Sequence, residues 1–148
     1  MSRTVTGTGP VNTRQIGRFA VTASRANGQA FRAALVFGLE VPEQDDDHLP
    51  ITYPLRWLNE GAVRDAILAA LAPVDGQNSK LPVHVEQRLD IPDPLAPDTP
   101  YWLELSLTGP DDRHKVQVLA DLCDETGTPL GQMTSTLLLI NTGAGAAP

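Results

Sequence analysis

The apolar residues of this chain change their period about halfway along it. Over residues 55–72, Leu55, Leu58, Ala62, Ile67, Ala70 and Leu71 recur at helical spacing, with Ala66 and Ala69 beside them. They predict one long helix whose small side chains let it lie close to another surface. Upstream, a capping Asn12 or Thr13 followed by Ile16, Phe19, Ala20 and Ala23 predicts a helix that carries Arg14 and Arg18 on one face. Asn27-Gly28 marks a turn, after which residues 30–35 are expected to form a second short helix. "RTVTGTG" suits a short opening strand, and "LEVPEQDDDHLP" a loop.

Beyond residue 80 the period falls to two. "LPVHVEQRLDI" sets Val83, Val85, Gln87 and Leu89 against His84, Glu86, Arg88 and Asp90; "PYWLELSLTG" sets Tyr101, Leu103, Leu105 and Leu107 against Trp102, Glu104, Ser106 and Thr108. "HKVQVLADLCD" places Val116, Val118, Ala120 and Leu122 on one side, and "GQMTSTLLLIN" alternates before becoming wholly apolar. The turn-rich stretches "PDPLAPDTP", "GPDDR" and "DETGTPLG" separate these runs. Such short connections favour antiparallel neighbours, so the expectation is a group of helices followed by a four-strand meander, an α+β pattern with helix packed on sheet. With 148 residues, 41% of them hydrophobic, the chain suits one domain, over residues 1–141. The closing "TGAGAAP", residues 142–148, has no large apolar side chain to hold it and is expected to be a disordered tail.

Charge and chemistry narrow the picture. A net charge of −7 argues against nonspecific nucleic-acid binding, which depends on neutralising phosphates. The charge is uneven: residues 1–39 hold five arginines and no acid, residues 40–148 eighteen acids against six bases. The arginine-rich part is a candidate cationic patch for a phosphate-bearing ligand or an acidic carrier protein. No apolar run approaches the roughly 18 residues of a membrane span, and "MSRTVTGTGP" lacks the order of a signal peptide, so a cytoplasmic protein without membrane attachment is expected. The single Cys123 falls in a strand pattern and reads as a buried, inert thiol. "DDDH" has ligand atoms but not the spacing of a metal site, and no metal is expected. There is no G-x-S-x-G elbow, phosphate-cradling glycine loop or C-x-x-C.

The order of these segments, with "LPITYPLRWL", "VHVEQRLDIPDPLAPDTPYWLELSLTG" and "GQMTSTLLL", resembles the MaoC-like acyl dehydratases of the hot-dog superfamily over about residues 4–141. The resemblance implies an antiparallel sheet wrapped around a long central helix, protomers paired edge to edge, and an acyl thioester on a pantetheine arm, with no cofactor besides that carrier. It places Tyr53, Pro54 and Trp57 in the wall of an acyl tunnel, with Asn27 and Arg25 close by. The dehydratase motif G-D-x-N-P-x-H matches "SRANGQAF": Asn27 is kept, but Arg25 stands in place of the acid and Ala30 in place of the imidazole. Arginine stays protonated and alanine does not titrate, so neither can do general acid–base work near pH 7. No histidine falls in residues 1–47.

The reading that follows is a non-catalytic or divergent dehydratase subunit that binds acyl-CoA or acyl-carrier protein. It would act as a homodimer or as a heterodimer with a catalytic hot-dog subunit, through the strand near residues 81–91. The alternative is an active dehydratase, enoyl hydratase or thioesterase that uses His48 with Asp65 or Glu60. His48 precedes the predicted helix as a histidine does in the bacterial fatty-acid dehydratases, although the glycine-rich setting of that branch is absent. Glu60 is also placed to pair with Arg64 at i, i+4, and His84 reads as a strand-surface or interface residue.

Overall fold

Tyr101, Leu103, Leu105 and Leu107 are buried along one face of a strand, as their alternation requires, and this strand is the spine of the fold. The computed structural model describes residues 12–35, 47–72 and 80–141. Within them lie β1 (Thr13–Val21), α1 (Arg25–Leu35), α2 (Pro54–Trp57), α3 (Gly61–Leu71), β2 (Lys80–Asp90), β3 (Tyr101–Thr108), β4 (Lys115–Cys123) and β5 (Pro129–Asn141). The strands form one antiparallel sheet in the order β1-β3-β4-β5-β2. The expected opening strand, most of the acidic loop and the tail lie outside the described residues.

The β3–β4–β5 hairpins are the meander that the alternation predicts. β2 departs from it: it pairs with β5 at the far side of the sheet, not with its sequence neighbour β3. The connection "PDPLAPDTP" is long and proline-rich enough to cross instead of forming a hairpin. Leu95 and Pro97 are buried within it, and the Leu95 carbonyl accepts from the Leu49 N–H at 2.7 Å.

Residues 13–21 correct the expected first helix: they form a strand paired with β3. The register shifts between Gln15 and Gly17, so Ile16 is an extra residue there. A bulge inserts one position into the alternation. The inward-facing Ile16 and Phe19 therefore fall three apart, a spacing that imitates a helix. Arg14 and Arg18 consequently lie on opposite faces. Arg14 donates to the Ala70 carbonyl at the end of α3, whereas Arg18 stacks over the Trp102 ring at 4.3 Å and pairs with Glu104.

The helices also differ from expectation. Asn27-Gly28 lies inside α1 because Ser24 caps it, its Oγ accepting the Asn27 N–H at 3.0 Å. Gly28 lets this helix approach Leu49, since a Cβ there would meet that side chain at 3.0 Å. The single helix expected over 55–72 is two: α2 stops at Trp57, and α3 starts at Gly61, whose φ of 53° is left-handed. Between them the Asn59 side chain donates to the Leu55 carbonyl at 2.9 Å, taking an acceptor that a continuing helix would use.

The core forms where α2 and α3 meet the sheet. Val63, Trp57, Tyr53 and Leu58 pack with Leu103, Leu105, Ala120, Leu122 and Met133, and Ile67 and Leu71 reach a second cluster of Leu107, Val116, Val118 and Leu137. Among the strands, β1 makes the main backbone contacts with α3, and on the inner face of β2 His84 and Gln87 are exposed. The inner face of β2 is therefore left largely uncovered.

Candidate functional site

That uncovered strip holds a groove of about 160 Å³. On one side α3 contributes Arg64, Ile67, Leu68 and Leu71; on the other β2 contributes Pro82, His84 and Gln87. Val118, Ser135 and Leu137 form the floor. Leu58 and Asn59 close it on the helical side, so the groove is mainly apolar, with Asn59 and Arg64 on one wall and a polar cluster on the β2 wall.

A second bulge creates the cluster. In an unbroken strand, residues three apart face opposite ways. The β2–β5 register shifts between His84 and Glu86, so His84 lies opposite Leu137 and Gln87 opposite Ser135, both on the helix-facing side. The Gln87 Nε2 donates to the Thr134 carbonyl at 3.1 Å, which turns Oε1 toward the groove. Ser135 Oγ donates to this oxygen at 2.7 Å, and His84 Nε2 lies 2.9 Å from it. An amide oxygen only accepts, so His84 Nε2 carries a proton; in the neutral ring Nδ1 is then an acceptor. Together, these contacts tie Gln87, Ser135 and His84 into one network and fix the imidazole tautomer.

The residues that the resemblance names for an acyl tunnel lie outside this groove. Tyr53 and Trp57 are 2% and 4% exposed and belong to a run of ring contacts from Phe31 through Tyr53 and Trp57 to Tyr101. Trp57 Nε1 donates to the Thr22 carbonyl at 3.3 Å, and burial pushes the Tyr53 phenol above its ordinary value, partly opposed by Arg56. Pro54 borders a separate cleft of about 120 Å³ that also contains Pro50, Ile51 and Ile91. Arg25 pairs with Asp47 at 3.6 Å, and its backbone N–H donates to Asp98; Asn27 is exposed on α1. The prolines and aromatics of "HLPITYPLRWL" thus seat the start of the helical segment in the core.

The candidate catalytic residues do not line the groove either. His48 is exposed, and its carbonyl accepts from Arg32 at 3.1 Å. Glu60 precedes α3 and is paired with Arg56, not with Arg64, while Asp65 is exposed on the helix. The arginine patch is dispersed across β1 and α1, with Arg14 and Arg18 on opposite sheet faces. Among the described residues no three His, Cys, Asp or Glu side chains converge as metal ligands, and no helix is long and apolar enough to cross a membrane. Cys123, half-buried at the end of β4, has its thiol pushed up by burial and then by Glu104 and Asp121.

Sequence reasoning placed His84 on a strand surface and gave no role to Gln87 or Ser135. A three-residue H-x-x-Q spacing means one face only if a bulge intervenes, and Val85, the bulged residue, does not announce itself in the sequence.

No family model matches this sequence, and no curated protein is significantly similar to it. Solved structures do resemble it. The C-terminally truncated HadBC (3R-hydroxyacyl-ACP dehydratase) complex from Mycobacterium tuberculosis matches with a TM-score of 0.67 at 15% identity, over 87% of this chain and 98% of that one. A hot-dog-like protein from Thermanaerovibrio acidaminovorans matches at 0.56 and 12% identity, over 89% and 83%. The (R)-hydratase from A. caviae involved in PHA biosynthesis matches at 0.50 and 14% identity, over 92% and 100%. The class is therefore settled: this chain has the α+β hot-dog fold. Its helix is broken and its sheet is half covered.

Proposed function

We propose that the chain is a MaoC-like hot-dog subunit that holds an acyl thioester, carried on CoA or on the phosphopantetheine of an acyl-carrier protein, in the groove between α3 and β2. The observation that carries this reading is the groove itself: a mainly apolar channel beside the free edge of a hot-dog sheet, with a few hydrogen-bonding groups in its walls. Ligand sites in general combine an apolar lining with a few placed polar groups. Its solved neighbours include a hydroxyacyl-ACP dehydratase complex and an (R)-hydratase, which points to the same substrate class. Arg25 and Ala30 in place of an acid and an imidazole make it a subunit without the dehydratase acid–base pair. The active alternative has less support, since His48, Glu60 and Asp65 all lie off the groove.

The free edge of β2 is where a second hot-dog domain would pair, as a homodimer or with a catalytic subunit. An unpaired strand edge invites such pairing, and Leu81, Val85 and Ile140 leave exposed apolar surface beside it. The test is to titrate purified protein with crotonyl-CoA and a longer enoyl-CoA by calorimetry while following loss of the enoyl absorbance. Saturable binding without hydration above the buffer rate is expected. Failure of both ligands to bind overturns the reading, and hydration abolished by His48→Ala transfers the function to the active alternative.

A further inference from the structure

The reading above leaves the β2 edge open to a second copy or to another subunit, and the side chains along that edge distinguish the two. Glu86 and Arg88 stand on the outward face, on either side of Gln87, which faces the groove. Both are exposed, and their charged ends lie 3.5 Å apart. A two-fold partner pairs antiparallel along such an edge, and residues directly opposite each other then share a face. An axis through Gln87 sets Glu86 opposite the partner's Arg88, and Arg88 opposite the partner's Glu86. Opposite charges in such cross-strand pairs stabilise, and like charges destabilise.

Other axes fare worse. One on Glu86 or Arg88 opposes like charges, one at Val85 or before it leaves every charged pair to form across the bulge, and one on Leu89 keeps only residues 88–90 of the strand in register. The far edge of the sheet lacks this symmetry, since β1 carries Arg14 and Arg18 and no acid. The ends of β2 supply a second observation. Leu81, near its start, is exposed; just past its end, Ile91 and Pro92 border the cleft that holds the exposed Ile51. Antiparallel pairing brings the start of one strand to the end of the other, so apolar surface is covered at both ends.

We infer that the partner of the β2 edge is a second copy of this chain, docked about a two-fold axis at Gln87. Gln87 then meets the partner's Gln87 on the helix-facing side, so each groove is bordered by a residue of the other copy. The inference rests on β2 being the pairing edge in the reading above, and adds to it the partner and the register.

The experiment measures dimer dissociation constants at low salt by analytical ultracentrifugation, without ligand, for the unmodified protein, Glu86→Arg, Arg88→Glu and the double exchange Glu86→Arg/Arg88→Glu. Each single exchange turns two attractive pairs into repulsive ones and is expected to weaken the dimer about tenfold or more. The double exchange is expected to restore it. An equimolar mixture of the two single variants is expected to associate about as tightly as the unmodified protein, because one copy then presents two bases and the other two acids. An unmodified protein that stays monomeric, single exchanges without effect, or a failure of the double exchange and of the mixture to recover overturns the inference. A monomer that still binds enoyl-CoA overturns it and leaves the thioester reading standing; a dimer with this charge pattern that binds no enoyl-CoA does the reverse.

Discussion

The two halves of the sheet use the same strand grammar for different ends. Over β3 and β4, Leu103, Leu105, Ala120 and Leu122 are 0% exposed beneath the helices. On the inner face of β2, the corresponding positions are His84 and Gln87, both exposed, with only Leu89 and Pro82 partly buried. Apolar side chains on a face without a lid would meet water, whereas hydrogen-bonding side chains there tolerate both water and a ligand. The contrast teaches that alternation identifies which residues share a face, while the layer above decides whether that face becomes core or site.

The strongest way to break the contrast is to truncate a leucine in each half of the sheet. Leu105→Ala or Leu122→Ala should cost about 2–5 kcal/mol, the range for leucine cavities in a packed core. Leu81→Ala, at a side chain 52% exposed, should stay within about 0.5 kcal/mol. Urea denaturation measures both, and similar losses would mean that the β2 half is as buried as the other.

The break between α2 and α3 sharpens the point, because it sets where α3 lies. A Cβ at Gly61 would meet nothing within 4 Å, so Gly61→Ala tests backbone conformation alone. Left-handed φ costs an ordinary residue about 1–2 kcal/mol, and a loss of that size in the unfolding midpoint is expected. No loss would indicate that α3 can start in another conformation.

Ser135→Ala probes the open half directly. Gln87 Oε1 keeps His84 as a partner, so only about 1 kcal/mol, one net hydrogen bond, should be lost. A loss as large as that of Leu105→Ala would show that the cluster is structural.

The smallest effect concerns acid. Asp111 and Asp124 occupy the β3–β4 and β4–β5 turns, within the covered half. Asp111 accepts from the Lys115 and Arg113 N–H groups, and Asp124 from the Thr126 hydroxyl and the Thr126 and Thr128 N–H groups. The Lys115 N–H chiefly lowers the carboxyl of Asp111, and the Thr126 hydroxyl that of Asp124. A carboxyl depressed in the folded state stabilises fully above its unfolded value, about 3.9, and loses that contribution as pH falls through the folded value. Denaturation midpoints for Asp111→Asn and Asp124→Asn should therefore fall less steeply below about pH 4 than those of the unmodified protein; an unchanged slope would remove these turns from the acid response.

Particular residues show why some of this was legible in the sequence. β3 and β4 could be read directly because Leu103 to Leu107 and Val116 to Leu122 alternate without interruption. β1 was misread because the bulge at Ile16 converts a strand into an apparent helix. The cluster of His84, Gln87 and Ser135 escaped notice because a second bulge, at Val85, brings together residues that simple alternation separates. Tyr53 and Trp57 are buried here, and a buried aromatic anchor and a ligand-facing aromatic have the same sequence signature.

By itself, the sequence determined the α+β division, the strands after residue 80 and the resemblance to a hot-dog protein. These depend on local period and residue chemistry. Only the tertiary structure decided that β2 crosses to pair with β5, that Gly61 splits the helix, and that α3 lies toward β1 and leaves a groove over His84. Those outcomes depend on which surfaces meet, through registers and bulges set by partners that are distant in the chain.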